Sequence, residues 1–356
     1  MKKSTFILSI IVVLAMVFSF TFAGCKGDAL EVVEEETAEE APQVEYKMAV
    51  FYPAPHPFFE ASQKGLEKFT EDTGIEIFVQ YGTDWTQETE NQFVEGLVAQ
   101  GYNAIMVYPM DATGANSLYE EVIAQGVKVV NFAAPTSLPT PVNFTVSTDV
   151  KAAAMLAVQT VIDVMGGEGN ILNILELVED PNTALRKEGI DEVVADTPGV
   201  EIIQEIAGIT SQEEATEKIS NALAALGDDL DGMVTTGYVP TVASSLILTE
   251  MENDAYEGII YVGIDDDPVV LKAIEDGYVT GTFAQNPVGI AYLCAKILQL
   301  ELEGYTPKSD YEFINSWGTI VTKDNVVGAA FQAEVLDFAI DLADTFATEY
   351  FNPPDA

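Results

Sequence analysis

The only histidine of the chain stands just before two adjacent phenylalanines, and this stretch is the first candidate for a binding surface. In PAPHPFFEASQKG, residues 53–65, His56 precedes Phe58 and Phe59 at the start of a polar, helix-forming run. Neighbouring positions of a helix point about 100° apart, so one core face does not readily bury both rings. We expect at least one ring, Phe58 in preference to Phe59, to stack on a ligand, with packing at the helix start as the alternative.

Further candidate binding residues follow apolar segments that have the composition of β-strands. In open parallel sheets, ligands bind just beyond the carboxyl ends of the strands. Aromatic residues occur at such positions in both halves of the chain, whereas the charged and amide groups occur in the second half. This pattern suits a small ligand with apolar faces and polar edges, such as a sugar ring. The candidates are Tyr108, Ser147, Arg186, Tyr238, Asp265 and Gln285, and Ala133, Ala134 and Gly237 occupy comparable positions.

Signatures of catalysis and of metal or cofactor binding are absent from the sequence. It has no GxxxxGK[ST] phosphate loop and no GxSxG nucleophile elbow. A single histidine excludes the usual multi-histidine metal sites. The acidic stretches GIDDDP and GDDLDG fit a strand end with a helix cap and a turn, respectively, better than calcium loops. We therefore predict a binding protein without enzymatic activity, cofactor or metal.

Apolar, strand-like runs alternate with amphipathic stretches from Tyr46 onwards. Short apolar strands separated by helical patterns are typical of parallel sheets covered by helices on both faces. The runs are too many for one small domain, and they divide near residues 147–149 into two sets of similar organisation. We therefore predict an α/β fold with two doubly wound parallel-sheet lobes. The runs are YKMAVFY, IEIFVQYG, NAIMVYP, VKVVNFA, NFTVST, NILNILEL, VEIIQEIAG, DGMVTTG, GIIYVGID and GYVTGTFA.

The N-terminus has the pattern of a secretory signal that ends in a lipidation site. Lys2 and Lys3 precede the apolar run FILSIIVVLAMVFSFTFAG, and Cys25 follows it. The ending FAGC resembles a bacterial lipobox, which predicts a signal peptide over residues 1–24 and a lipid on Cys25; an uncleaved anchor helix is the alternative. Residues 25–45 are acidic, which indicates a flexible tether. The rest of the chain is therefore expected in the cell envelope, anchored to the membrane and facing the periplasm or the cell exterior.

The chain is strongly acidic, with 58 acidic residues against 15 basic ones and a formal net charge of −43. This charge argues against binding to nucleic acids and to anionic lipid surfaces. Hydrophobic residues still make up 48% of the sequence, which is enough for sizeable cores. Cys294 is the only cysteine besides Cys25, so no disulfide is expected, and its apolar helical setting predicts a small buried residue.

Several motifs together resemble the sugar-binding proteins of ABC importers, of the ribose/galactose-binding type, and the resemblance covers essentially residues 46–324. The resemblance implies a type 1 periplasmic binding fold, in which two lobes joined by three crossovers, near Ser147, Gln285 and Trp317, close over a small ligand. It divides the chain into a first lobe, residues 46–147 plus 286–314, and a second lobe, residues 148–285 plus 315–356. It also implies a monomer that delivers its ligand to ABC permease subunits. The motifs are HPFFEASQKG, VYPMDATG, STDVKAAA, NTALRKEG, YVGIDDDPVVLKAIEDGYVTGTFAQNP and GTIVTKDNV.

The resemblance also implies roles for individual residues. Paired phenylalanines sandwich the sugar in the family's ribose binders, and Phe58 and Phe59 occupy those places. Arg186 matches the ligand-binding arginine of the family, Asp265 matches its essential carboxylate, and Gln285 matches its hinge glutamine. The alternatives are a surface ion pair for the arginine, a helix cap for the aspartate and a hinge-backbone contact for the glutamine.

Departures from the family pattern argue against ribose as the ligand. His56 and Tyr108 stand in place of two asparagines, Ala133 and Ala134 in place of an Asp-Arg pair, and Gly237 in place of a further asparagine. The first lobe has therefore lost most of its hydroxyl-binding groups. A deoxy sugar, a larger sugar, a signalling furanone and a nucleoside-like ligand stay open. A sensory role toward a chemotaxis or kinase partner stays open as the alternative to import.

The C-terminal segment, residues 326–350, is longer than the family needs. Apolar residues recur there at helical spacing with acidic residues between them, which predicts an amphipathic helix. We expect this helix to dock on the second lobe. Its apolar residues are Phe331, Val335, Phe338, Leu342 and Phe346.

Overall fold

The computed structural model describes residues 44–178, 180–250, 258–327 and 330–354 of the protein. The predicted signal peptide, the predicted lipidation site Cys25 and residues 25–43 of the predicted tether lie outside these ranges. Lipid anchoring therefore stays a prediction. Within the described ranges, the structure has no helix of the length and apolar character that a bilayer span requires.

The first half of the chain forms a parallel sheet with helices packed on it. Each run predicted as a strand up to residue 147 forms one. The elements are β1 (Met48–Tyr52), α1 (Pro57–Thr73), β2 (Ile77–Tyr81), α2 (Gln87–Ala99), β3 (Ala104–Val107), α3 (Gly114–Ile123), β4 (Lys128–Phe132) and β5 (Phe144–Ser147).

The second half repeats this alternation in a second sheet, so all ten predicted strands are present. Its helix α8 begins with Asp267 as the cap and Pro268 as the first helical residue, which confirms the interpretation of GIDDDP. The elements are α4 (Val150–Met165), β6 (Gly169–Ile174), α5 (Pro181–Ala195), β7 (Val200–Ile206), α6 (Gln212–Leu226), β8 (Gly232–Thr235), α7 (Tyr238–Glu250), β9 (Ile260–Ile264), α8 (Pro268–Asp276) and β10 (Gly281–Ala284).

The remaining elements are α9 (Pro287–Leu302), β11 (Thr306–Pro307), β12 (Glu312–Asn315), β13 (Thr319–Thr322), α10 (Ala330–Glu349) and β14 (Phe351–Asn352). Strand β12 joins the first sheet beside β5, and β13 joins the second sheet antiparallel to β10. The strand orders are β12-β5-β4-β3-β1-β2 and β13-β10-β9-β8-β6-β7, so the two lobes share one strand order and differ in the direction of the edge strand. Helix α9 packs on the first sheet, where Cys294 is buried in the core as predicted.

The chain passes between the lobes at the three predicted places. It enters the second lobe after β5, near Ser147, and returns to the first lobe after β10, near Gln285. It enters the second lobe again after β12, near Trp317. The parallel strands of both sheets therefore end toward these crossovers, and such strand ends are where open α/β sheets bind ligands.

A fourth passage, which the sequence did not suggest, leads from the second lobe to α10. Val326 belongs to the core of the second lobe, whereas Ala339, Ala343 and Phe346 of α10 belong to the core of the first lobe. The prediction that the C-terminal helix docks on the second lobe is wrong, because α10 packs against α9 and the strand that follows it, β14, pairs with β11. The predicted second-lobe segment 315–356 therefore contains a helix of the first lobe.

The apolar residues of α10 are buried to different extents. Phe346 is fully buried, whereas Phe338 is 38% exposed and lies 5.7 Å, between ring centroids, from Trp317 of the third crossover. Val335 is buried and Leu342 is half-buried, while the side chain of Phe331 lies outside the described residues. The helix is thus anchored in the first lobe at one end and touches the hinge at the other.

The burial of Phe346 predicts a large contribution of α10 to the stability of the first lobe. We expect Phe346→Ala to lower the free energy of unfolding by about 3–5 kcal/mol, because it leaves a cavity in a packed core. Phe338→Ala on the same helix is the matched control and should cost much less. Urea denaturation of both variants measures the difference. A loss of less than about 1 kcal/mol for Phe346→Ala would contradict the place of α10 in the core.

Candidate functional site

A cavity of about 370 Å³ lies between the lobes, in the size range of small-molecule sites. Eight of the nine predicted binding residues line it, and Ser147 does not. Their contact with a ligand stays a prediction. The lining residues are His56, Phe58, Phe59, Trp85, Tyr108 and Ala133 from the first lobe, and Glu176, Leu177, Asp180, Asn182, Arg186, Ile209, Thr210, Gly237, Tyr238, Val239, Asp265 and the crossover residue Gln285.

Ser147 is buried at the end of β5, where its hydroxyl group contacts two backbone carbonyl oxygens. Its Oγ lies 2.8 Å from the carbonyl oxygen of Ala133 and 3.0 Å from that of Thr148. These contacts tie the first crossover to the end of β4. They account for a serine at this position without a ligand, so its role in binding stays a prediction.

The paired phenylalanines point in different directions, as their spacing predicted. Phe59 is 1% exposed and stacks on Tyr52 of β1, with ring centroids 4.7 Å apart and planes at 10°. It also lies 5.8 Å from Trp85, in a nearly parallel orientation. Phe58 is only partly buried and meets Phe59 edge-on at 5.7 Å. Phe59 is thus mainly a core ring that reaches the cavity, and Phe58 is the more accessible ring.

His56 caps α1 and also faces the opposite lobe. Its Nδ1 accepts a hydrogen bond of 3.2 Å from the backbone N–H of Phe58, which assigns the ring proton to Nε2. Burial lowers the pKa of His56 to about 4, so the ring is neutral at pH 7. Its centroid lies 5.0 Å from the ring of Tyr238 in the second lobe. The ring therefore contributes an uncharged edge to the cavity.

Two hydrogen bonds cross between the lobes beside the cavity. The hydroxyl of Tyr108 donates to Oδ1 of Asp180 at 2.9 Å, and Nδ2 of Asn182 donates to the carbonyl oxygen of Ala133 at 3.0 Å. Asp180 also accepts from the backbone N–H of Thr183 and thereby caps α5. The lobes are thus in direct contact around the cavity, which is a closed arrangement.

Arg186 places a guanidinium group in the second-lobe wall. Its side chain is 7% exposed, and its Nη1 donates to the carbonyl oxygen of Thr236 at 2.9 Å. Its Nε has no hydrogen-bond partner, and none of the ion pairs among the described residues includes this arginine. A buried donor without a partner is rare in native structures, so this N–H is suited to bind a ligand oxygen.

Asp265 and Gln285 form a hydrogen-bonded pair in the cavity wall. Oδ1 of Asp265 accepts from Nε2 of Gln285 at 2.7 Å. The backbone of Asp265 has a φ of 71°, a left-handed conformation that aspartate tolerates better than most residues. Burial raises the pKa of this carboxyl group to about 6, while Gln285 and Arg186 oppose that rise. Because the pair is buried, water solvates the carboxyl group of Asp265 poorly. A hydrogen-bond donor of a ligand is therefore a favourable partner for it.

Glu176 is a second buried carboxyl group in the cavity, and the sequence analysis missed it. Its Oε1 accepts from the backbone N–H of Val239 at 2.8 Å, and burial raises its pKa to about 7. A Cβ atom added at Gly237 would lie 2.1 Å from Cδ of Glu176, so the glutamate occupies the space that a side chain at residue 237 would need. This packing explains why glycine stands at that position.

Glu176 and three other missed residues come after strands in the chain, as the predicted binding residues do. Glu176 comes two residues after β6, Trp85 follows β2, and Asp180 and Asn182 lie at the start of α5. The rule, applied to every strand, would have included Glu176. Trp85 lies in a loop whose path the sequence does not determine.

Comparisons with known proteins identify the family of this chain. Residues 49–306 match the family described as periplasmic binding protein domain. The chain belongs to this family. The resemblance inferred from the motifs is thereby confirmed, and the two-lobed fold of a type 1 periplasmic binding protein is the one that the structure has.

Two curated relatives of this periplasmic binding protein cover most of its length. It is 26% identical over 272 residues to a xylitol-binding protein of Mycolicibacterium smegmatis, which covers 76% of this chain and 75% of that protein. It is 25% identical over 252 residues to a ribose import binding protein of Bacillus subtilis, which covers 70% of this chain and 79% of that protein.

Solved structures of solute-binding proteins share the fold of this periplasmic binding protein. One from Burkholderia graminis in complex with D-arabinose superposes with a TM-score of 0.75 at 22% identity, covering 80% of this chain and 97% of that one. One from Bacillus halodurans with bound myo-inositol gives a TM-score of 0.73 at 18% identity, with 83% and 100% covered. The architecture is therefore common to proteins of different sequence.

The raised pKa of Glu176 predicts a pH-dependent stability. A folded-state pKa of about 7 lies above the usual value of 4.5, so the folded protein loses stability as the pH rises from about 4.5 through 7. We expect Glu176→Gln to raise the melting temperature at pH 8 by about 5 °C or more and to change it much less at pH 5.

Differential scanning calorimetry of the ligand-free protein at both pH values measures this effect. Glu90 and Glu301 have pKa values raised in the same direction, but they are present in both proteins and cancel in the comparison. Glu95→Gln, at an exposed helix position, is the control. The same change of melting temperature at pH 5 and pH 8 would contradict the assignment.

Proposed function

We propose that this protein is a lipid-anchored, extracytoplasmic solute-binding protein that captures a small sugar-like ligand between its lobes and delivers it to an ABC importer. The observation that carries the proposal is the cavity between the lobes, with aromatic rings on one wall and incompletely bonded polar groups on the other. Family membership and the sugar- and polyol-binding names of the relatives support it.

The polar groups of the second lobe suit the hydroxyl groups of a sugar. Each hydroxyl both donates and accepts a hydrogen bond, so neighbouring hydroxyls need donors and acceptors side by side. Arg186 supplies the donor, and the carboxyl groups of Asp265 and Glu176 supply acceptors. Charged partners make such hydrogen bonds stronger than neutral ones. We propose Arg186, Asp265, Gln285 and Phe58 as the principal ligand contacts.

The closed arrangement provides the coupling between binding and transport. Tyr108–Asp180 and Ala133–Asn182 are contacts that form only when the lobes approach each other, because each joins one lobe to the other. A ligand that contacts both walls favours this state over an open one, and a permease that recognises the closed state then receives only the loaded protein.

Membrane attachment through Cys25 is part of the proposal. We expect Cys25→Ser to release the protein from the membrane fraction, because the variant has no site for the lipid. Fractionation of cells and intact-mass analysis of both proteins measure the change. Full membrane retention of the variant with an unchanged mass would contradict lipidation at this cysteine.

The sugar-like class of the ligand is testable with purified protein. A thermal-shift screen over sugars, polyols and nucleosides should identify a ligand, since a molecule that binds only the folded state raises the melting temperature. With that ligand, Asp265→Ala should weaken binding at least about tenfold in calorimetry, because a charged hydrogen-bond acceptor is lost.

Asp324→Ala, which changes an exposed aspartate in the turn after β13, is the control and should bind as the unchanged protein does. Unchanged affinity of Asp265→Ala would restrict Asp265 to a structural role at the end of β9. A screen in which no sugar or polyol raises the melting temperature would overturn the proposed ligand class.

A further inference from the structure

The first-lobe wall of the cavity has almost no hydrogen-bonding capacity left for a ligand. Its described lining residues include no carboxylate, amide, guanidinium or aliphatic hydroxyl side chain. The Tyr108 hydroxyl donates to Asp180, and Nδ1 of His56 accepts from the backbone of Phe58. The side-chain groups that remain for a ligand are the ring N–H donors of His56 and Trp85 and the lone pairs of the Tyr108 oxygen. The wall is therefore a set of ring faces and edges.

The backbone N–H and carbonyl groups of Ala133 in this wall also have partners within the protein. Its N–H donates to the carbonyl oxygen of Val146 at 2.8 Å, and its own carbonyl oxygen accepts from Asn182 and lies 2.8 Å from Oγ of Ser147. Its φ of 62° is a left-handed conformation that glycine, asparagine and aspartate adopt more readily than alanine. A residue with a polar side chain would fit this backbone better, yet the position carries a methyl group.

The unused hydrogen-bonding groups lie on the opposite wall. Nε of Arg186 and Oδ1 of Asn182 are buried without partners. Glu176 and Asp265 each have one carboxyl oxygen engaged, by Val239 and Gln285 respectively. Donors and acceptors for a ligand are therefore concentrated on one side of the cavity, and apolar surface on the other.

We infer that the ligand is a deoxy sugar or a comparable deoxy polyol, with its hydroxyl groups on the edge that faces the second lobe and hydrogen or methyl in their place on the edge that faces the first lobe. This inference rests on the proposed function and narrows its ligand class. A hydroxyl group buried against the first-lobe wall would lose its water and find no side-chain acceptor there except the Tyr108 oxygen. A methyl group or ring face there would instead lie against Phe58, Trp85 and Ala133.

Matched pairs of sugars that differ at one hydroxyl group test this inference. Isothermal titration calorimetry compares L-rhamnose with L-mannose, L-fucose with L-galactose, and 2-deoxy-D-ribose with D-ribose. We expect the tightest ligand to be a deoxy sugar whose dissociation constant is at least about tenfold below that of its hydroxylated partner.

Equal or tighter binding of the hydroxylated member in every pair that binds would overturn the inference and leave the proposed function intact. Absence of binding by any sugar or polyol, in these pairs and in the broader screen, would overturn the proposed function and the inference with it. The two failures are therefore distinguishable.

The variant Ala133→Asn tests whether the first-lobe wall causes the preference for a deoxy sugar. Asparagine tolerates the φ of residue 133 and adds an amide to the first-lobe wall. We expect the ratio of affinities within the best pair to shift by about tenfold toward the hydroxylated sugar. Val164→Asn, an apolar-to-amide change at an exposed position of α4, is the control and should leave the ratio unchanged.

An Ala133→Asn protein that melts as the unchanged protein does and keeps the full deoxy preference would contradict the role of this wall. If Ala133→Asn fails to fold, Tyr108→Asn provides a second test, because it also adds an amide to the first-lobe wall. Only the ratio of affinities within the pair is compared there, since this variant also loses the Tyr108–Asp180 contact between the lobes.

Discussion

Both sheets end at the crossovers, and the side chain of Asn286 joins the segments that meet there. This residue is fully buried, and its Oδ1 accepts from the backbone N–H of Gly289 at the start of α9. Its Nδ2 donates to the carbonyl oxygens of Ser316, in the third crossover, and Val335, in α10. One amide thus satisfies backbone groups of three segments, the start of α9, the third crossover and α10. Buried polar groups of this kind are costly to leave unpaired, so the crossovers are held in a defined arrangement.

The two lobes contribute unlike chemistry to the cavity that this hinge positions. The first-lobe rings pack on one another and on the core, as in the stack of Phe59 on Tyr52. The second lobe keeps Arg186 with a buried donor unpaired, and burial raises the pKa values of Glu176 and Asp265. The first-lobe wall, whose rings pack on one another without a ligand, therefore mainly sets the shape of the cavity. Polar recognition comes mainly from a wall whose groups are incompletely bonded until hydroxyl groups reach them.

Helix α10 provides a connection that bears on lobe motion. The family match ends at residue 306, so α10 lies beyond it. The helix is part of the first-lobe core through Phe346, yet the segment before it leaves the second-lobe core at Val326. Trp317, with a φ of 65° in the third crossover, contacts Phe338 of α10. Hinge residues absorb the backbone changes of domain opening, so opening at this crossover has to move Trp317 relative to α10.

The sequence by itself determined the ten strands of the two sheets, their division near Ser147 and the family, because period, composition and ordered motifs are local properties of the chain. It also identified Phe58, Arg186 and Asp265 as residues at strand ends or helix starts, since topology brings all such ends to one edge. The sequence favoured Phe58 as the ring that faces a ligand, but only the tertiary structure shows what buries Phe59, which stacks on Tyr52 and lies beside Trp85 in a distant loop.

The same distinction explains the other differences. Glycine at residue 237 is explained by Glu176, which lies 61 residues earlier in the chain and fills its space. The apolar spacing of α10 predicted a helix but not the lobe that it covers, because an amphipathic face specifies that it will be buried and not against which surface. Which surfaces meet depends on packing between segments that are remote in sequence, and local sequence patterns do not show this packing.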